Sequence, residues 1–147
     1  MCPLVASKTE GQQDVISAAL DSLKRGYRLP HVIVADDGSL AGRITLNEIV
    51  RGPLQSTSIG YFVDHPRQGM GLASEAVGSL VELAFQDLGL HRIEAGTLPN
   101  NAASQRVLAK NGFTQFGYAP QYLHIAGAWR DHTLFQRINP AAPAPTS

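Results

Sequence analysis

The sequence predicts a mixed α/β fold, in which an antiparallel meander runs into a parallel crossover pair and helices cover the sheet. Three observations predict it. The first is a hairpin signature, Asp37-Gly38, between the apolar runs Val32-Ile33-Val34 and Leu40 to Leu46. The second is a third strand, about Gln55 to Asp64, joined to that hairpin by a short link; three strands connected in this way form a meander. The third is a strand, a long helical pattern and another strand between Gln55 and Leu98. A succession of that length makes a crossover, and crossovers join parallel strands.

The elements follow in order. Residues Met1 to Ala6 carry a weak strand signal. From Thr9 to Arg25, Val15, Ile16, Ala19, Leu20 and Leu23 fall on one helical face, with Thr9 placed to cap the start and Gly26 to end it. After the hairpin, Asn47 to Leu54 reads as a loop around Gly52-Pro53. In the next strand Ile59, Tyr61 and Val63 alternate with Gly60 and Phe62, and Pro66 ends it. The strongest helix spans Leu72 to Leu88: Leu72, Ala73, Ala76, Val77, Leu80, Val81, Ala84, Phe85 and Leu88 form a wide apolar face, and Gly89 stops it. His91 to Leu98 alternates as a strand. Pro99-Asn100-Asn101 breaks the chain before a second helix, Ala102 to Asn111. Phe113 to Tyr118 and Thr133 to Ile138 read as the last strands. One domain over residues 1–138 is expected, followed by a disordered Pro/Ala tail over 139–147.

Composition narrows the function. The 147 residues are 44% hydrophobic, enough for one packed core. Lysine plus arginine and aspartate plus glutamate both number 12, so the net charge is zero, which argues against electrostatic capture of nucleic acid. No apolar run is long enough for a helical membrane span, and no basic-then-apolar leader opens the sequence, so a cytoplasmic protein without a membrane partner is expected. The histidines lack ligand spacing and Cys2 is the only cysteine, so no metal site is expected.

The connection from Ser58 to Glu75 organises the chemistry. Gly69 and Gly71 let the backbone turn with no Cβ in the way, and a helix opens directly afterwards. The mouth of a helix carries unpaired N–H donors and about half a positive charge, which suits phosphate. A strand–Gly-x-Gly–helix connection is also a common tight turn, so the motif is weak by itself. The dinucleotide fingerprint is ruled out, because position 74 is Ser where the third glycine should stand and the turn follows a meander.

Three pieces of the chain together resemble the GNAT superfamily of acetyl-CoA-dependent N-acetyltransferases. Gln68-Gly69-Met70-Gly71-Leu72-Ala73 is similar to its Gln/Arg-x-x-Gly-x-Gly/Ala turn. Asn101-Ala102-Ala103-Ser104, followed by Lys110-Asn111-Gly112-Phe113, is similar to its Asn-x-x-Ser…Lys-x-Gly-Phe signature. Tyr122 to His132 resembles the ribosomal-protein-alanine acetyltransferase branch. The likeness spans Val32 to Ile138. It departs in two places: the branch has Asn where this chain has Ala126, and only about eight residues precede the first helical pattern, so the first strand is expected to be shortened or missing.

The resemblance implies a GNAT-like mixed sheet with helices on both faces and a splay between two central parallel strands. It also implies acetyl-CoA as cofactor. The backbone of Tyr61, Phe62 and Val63 would line the pantetheine arm. Arg67, Gln68, Gly69, Met70, Gly71, Leu72, Ala73 and Ser74 would cradle the pyrophosphate, and Asn101 would bond the arm unless it only caps the second helix. Ser104, the catalytic candidate, would stand near the cofactor sulfur and hand a proton or hydrogen bond to the leaving thiolate; as a bland alternative it is an ordinary polar residue near a helix start. The base stays open among Glu48, His65, His124, Asp131, His132 and a water chain. Asp131 reads better as a residue that pins its loop, and Trp129 and Tyr122 as core or pocket wall.

The acceptor expected from the branch is the N-terminal α-amine of a protein or peptide. A small-molecule amine and a non-catalytic acyl-CoA-binding module are the competing readings, and a homodimer stays open.

Overall fold

A computed structural model describes residues 4–5 (backbone only), 28–64 and 71–145. The helix expected over Thr9 to Arg25 and the turn residues from His65 to Met70 lie outside the described residues.

Seven strands form one sheet: β1 Leu4–Val5, β2 Arg28–Val34, β3 Leu40–Val50, β4 Ser56–Val63, β5 Arg92–Thr97, β6 Thr114–Ile125 and β7 Ala128–Ile138, in the spatial order β1-β2-β3-β4-β5-β7-β6. Helix α1, Leu72–Glu82, runs on into a π-helical turn over Leu83–Asp87, and α2 spans Ala102–Lys110. The meander β2-β3-β4 is antiparallel, and β4 and β5, joined through α1, are parallel. A first strand is present, its described residues Leu4 and Val5 pairing with β2 through Leu4↔Ile33 and Val5↔Val32.

Alternation along the strands builds the core. Leu29 and Ile33 on β2, Ile44 and Leu46 on β3, Ile59 on β4 and Ile93 on β5 are buried together with Ala76, Val77, Leu80 and Val81 of α1. The side chains packed in this layer each contribute roughly 1.5–3 kcal/mol by leaving water. Gly42 lies where β3 backs onto the end of β4; a Cβ there would overlap the Phe62 carbonyl, so only glycine lets the two backbones approach so closely.

Two expected boundaries move. The loop placed at Asn47 to Leu54 is strand up to Val50, because a bulge absorbs the irregularity. The ladder steps from Asn47↔Ser58 to Val50↔Ser56, so two β3 residues face the single β4 residue Thr57, and Glu48 takes a positive φ of 49°. Near the C-terminus, the short strands expected at Phe113 to Tyr118 and Thr133 to Ile138 are the inner halves of a much longer hairpin. Its turn is Ala126-Gly127, with φ of 52° and 84°, the paired left-handed residues of a type I′ hairpin turn. Asn139, the first residue of the expected tail, donates from its backbone to His91 O at 2.8 Å and from Nδ2 to Leu90 O at 3.2 Å.

Candidate active site

The β4–β5 pairing covers only Ser56↔Arg92, Thr57↔Ile93 and Ser58↔Glu94. Beyond that point β4 continues to Val63 against β3, and β5 continues to Thr97 against β7, but the two no longer share a ladder. The sheet therefore parts at its centre and presents a strand edge to whatever enters the opening.

A cleft of about 460 Å³ lies at this parting. Tyr61, Phe62 and Val63 of β4 form one side, and Gly71, Leu72, Ala73 and Ser74 at the start of α1 form the second. Asn101 and Ser104 at the start of α2 form the third. The structure thus brings the described members of the sequence-predicted site around one space; Arg67, Gln68, Gly69 and Met70 lie outside the described residues.

The two helix starts differ in how their first-turn N–H groups are served. Asn101 caps α2: its Oδ1 accepts from Ser104 N at 3.1 Å. Its amide NH₂ stays available to a ligand carbonyl. Gly71 precedes α1 with φ 79°, and no side chain of the described residues caps that helix. A Cβ at Gly71 would meet no atom of the described residues within 4 Å. A helix mouth at the parting, with its first-turn N–H donors and its dipole, fits an anionic group such as a pyrophosphate. Arg106 and Lys110, one turn apart on α2, line the same cleft. Sequence reading assigned them no role, although their i, i+4 spacing on a helix opening into the site was a usable signal.

Ser104 is held from below. The Tyr61 hydroxyl lies 2.6 Å from Ser104 Oγ, with either group able to donate, and 3.3 Å from the Ser104 carbonyl oxygen. Burial pushes the Tyr61 phenol above its ordinary value, with the Ser104 hydrogen bond pulling partly the other way. Tyr61 is therefore a neutral hydroxyl throughout the physiological range. Strand alternation turns its side chain to the Ser104 side, a contact between residues 43 positions apart that only the fold reveals.

None of the described base candidates lines the cleft. Glu48 sits in the β3 bulge. His124 packs edge-on against Trp129 with ring centroids 5.2 Å apart near the hairpin turn. His132 is buried; its Nδ1–H donates to Arg130 O at 3.1 Å, and its ring stacks at 5.6 Å against Tyr122. Asp131 accepts from Gln121 N at 2.8 Å and from the Tyr118 hydroxyl at 2.5 Å. It pins the β6 irregularity where Ala119↔His132 steps to Leu123↔Arg130, and the Tyr118 hydrogen bond, reinforced by that from Gln121, holds its carboxyl below the usual range. Trp129 and Tyr122, expected as core or pocket wall, are 62% and 49% exposed and do not line the cleft.

A parted parallel pair, a helix mouth beside it and a hydroxyl at its base are compatible with a site for an anionic acyl donor, and comparison with known proteins gives the family. Residues 4–114 match the model of the acetyltransferase (GNAT) domain family, and the chain belongs to that family of N-acetyltransferases. It is 41% identical over 132 residues to "Probable N-acetyltransferase YjcK" of Bacillus subtilis, covering 89% of this chain and 73% of that protein. It is 35% identical over 105 residues to the [Ribosomal protein uS5]-alanine N-acetyltransferase of Escherichia coli, covering 71% of this chain and 54% of the relative, so it spans about half of that protein's length. Among solved structures, Mycobacterium smegmatis RimJ in complex with CoA-disulfide superposes with a TM-score of 0.79 at 32% identity, over 97% of this chain and 72% of that one. Among the described residues no helix is long and apolar enough to cross a membrane.

Proposed function

We propose that the chain transfers the acetyl group of acetyl-CoA to the N-terminal α-amine of a protein or peptide. The observation that carries this reading is the parting of β4 from β5 directly over Tyr61 and Ser104, with the start of α1 alongside. Bound acetyl-CoA would supply a thioester whose carbonyl carbon accepts the amine and whose thiolate leaves.

The chain's own residues divide the work. The first-turn N–H groups of Leu72, Ala73 and Ser74 take the pyrophosphate, with Arg67 to Met70 completing the cradle and Arg106 and Lys110 adding positive charge. The backbone of Tyr61 to Val63 and the Asn101 amide hold the pantetheine arm. One N–H of that open edge polarises the thioester oxygen where negative charge develops. The Ser104 hydroxyl donates to the departing sulfur while Tyr61 donates to Ser104, so the serine proton points at the thiolate. Among the described residues no candidate base lines the cleft, so in this reading the amine gives up its proton to water.

The acceptor class is supported by the uS5-alanine N-acetyltransferase relative. An acceptor of the ribosomal-protein kind would set the reaction in the cytoplasm. The test is incubation with acetyl-CoA and peptides beginning with a free alanine, followed by fragment mass spectrometry. A gain of one acetyl on the α-amine is expected. Thiol release with small amines only would move the acceptor to a small molecule, and acetyl-CoA binding with no thiol release from any amine would leave a binding module.

A further inference from the structure

A second hollow, of about 260 Å³, lies mostly on the opposite side of β4, and its polar lining takes no part in the acetyl transfer described above. Arg28, Arg43, Thr45, Asn47, Gly60, Tyr61 and Phe62 line it. Register places all but Tyr61 on one face: Arg28 pairs with Asn47, Thr45 with Gly60, and Arg43 with Phe62, while 43, 45 and 47 share a side of β3 by alternation. The floor is low, because Gly60 offers no side chain between Asn47 and Phe62. The two arginines stand four residues apart along β3, about 13 Å, one at each end of that floor.

Neither arginine has a carboxylate within ion-pair distance among the described residues. The acid on the next strand, Glu94 beside Ser58, is already taken by Arg92 at 2.7 Å, and Glu48 in the neighbouring bulge does not line the hollow. Two guanidiniums with no carboxylate partner among the described residues, and an amide and a hydroxyl between them, form a receptor for a carboxylate. The hollow shares Tyr61 and Phe62 with the cofactor cleft. A nucleophile reaching the open β4 edge from the face opposite the cofactor would therefore pass over it.

We propose that Arg28 and Arg43 receive the carboxylate of an acidic side chain close to the acceptor's amino terminus, so that the acceptor is a peptide with Asp or Glu within its first few residues. This rests on the α-amine reading above, and its test separates the two. Fluorescence anisotropy with C-terminally labelled, C-terminally amidated peptides measures binding to the CoA-saturated protein, and mass spectrometry follows acetylation of the same peptides. Ala-Asp and Ala-Glu peptides are expected to bind about three- to tenfold more tightly than their Asn and Gln counterparts. The preference should shrink with added salt and vanish in Arg28→Gln/Arg43→Gln protein that keeps its acetyl-CoA affinity. Equal binding of acidic and amide peptides, or preference for lysine peptides, overturns the inference even if alanine peptides are acetylated. Acidic preference without acetylation supports it and removes the α-amine reading instead. A free carboxylate competing as well as the acidic peptide would overturn the peptide assignment in favour of a small anion.

Discussion

The Tyr61 hydroxyl and Ser104 Oγ lie 2.6 Å apart, one from the open edge of β4 and one from the first turn of α2. The pair joins the strand that would carry the pantetheine to the helix that would serve the sulfur. Tyr61 is half-buried and neutral, so it acts as a donor that fixes the serine proton, not as a phenolate. Removing a neutral hydrogen bond costs about 0.5–1.5 kcal/mol, so Tyr61→Phe should lower kcat about two- to tenfold. In a Ser104→Ala background the same change should have almost no further effect. Full additivity in that cycle would show that the two hydroxyls act separately.

The mouth of α1 makes Gly71 the next test. Valine there would fill the place of the pyrophosphate and would also be strained at φ 79°, at about 1–2 kcal/mol. Gly71→Val should stay folded with a Tm lower by a few degrees, and calorimetric titration should give an acetyl-CoA affinity weaker by more than tenfold. Unchanged affinity in the folded variant would remove the cradle.

Ala126 occupies a left-handed position, φ 52°, at the first central residue of the β6–β7 turn, where the related branch has Asn. Asparagine adopts that conformation far more readily than alanine. Ala126→Asn should stabilise the chain by about 0.5–1 kcal/mol, a rise of about 1–4 °C in Tm by calorimetry. The cofactor cleft, which Ala126 does not line, should bind acetyl-CoA as before.

His31 lies on the core face of β2 opposite Ile44, and its Nδ1 has no hydrogen-bond partner among the described residues. Burial lowers its pKa, with a backbone hydrogen bond to Leu29 partly opposing. The folded state therefore binds a proton less readily than the unfolded one. Stability should fall as pH drops below about 6.5, the unfolded value, and the loss should grow until the folded pKa is passed. Denaturant titrations from pH 7.5 to 5 should show this slope, and His31→Met should flatten it. An identical slope in the variant would assign the effect elsewhere.

The parts of this molecule that were legible in the sequence are the ones set by local chemistry. Asp37-Gly38 marked its hairpin, the apolar face of Leu72 to Val81 marked α1, and the strand–helix–strand spacing marked the parallel pair. Gly71, Asn101 and Ser104 were singled out through the family resemblance their motifs carry, and in the structure they stand at helix starts around one cleft. What escaped depended on tertiary context. The sixth strand was expected to end at Tyr118, yet it runs on to Ile125, and Asp131 from the facing strand accepts from Gln121 N where its register shifts. Ala126-Gly127 lacks the asparagine that announces a tight turn. The Tyr61–Ser104 contact and the hollow shared by Arg28 and Arg43 involve residues whose relation appears only when the sheet is assembled.

The central claim is that Ser104 serves the leaving sulfur at the parting of β4 and β5. It is tested most directly by kcat and acetyl-CoA affinity measured side by side for Ser104→Ala. General acid assistance is worth about a hundred- to ten-thousandfold, whereas a bond that merely orients is worth under about tenfold. The account predicts a fall in kcat well beyond tenfold with acetyl-CoA affinity within about twofold of the parent. A fall in kcat below tenfold, or a loss of acetyl-CoA binding in its place, would contradict it.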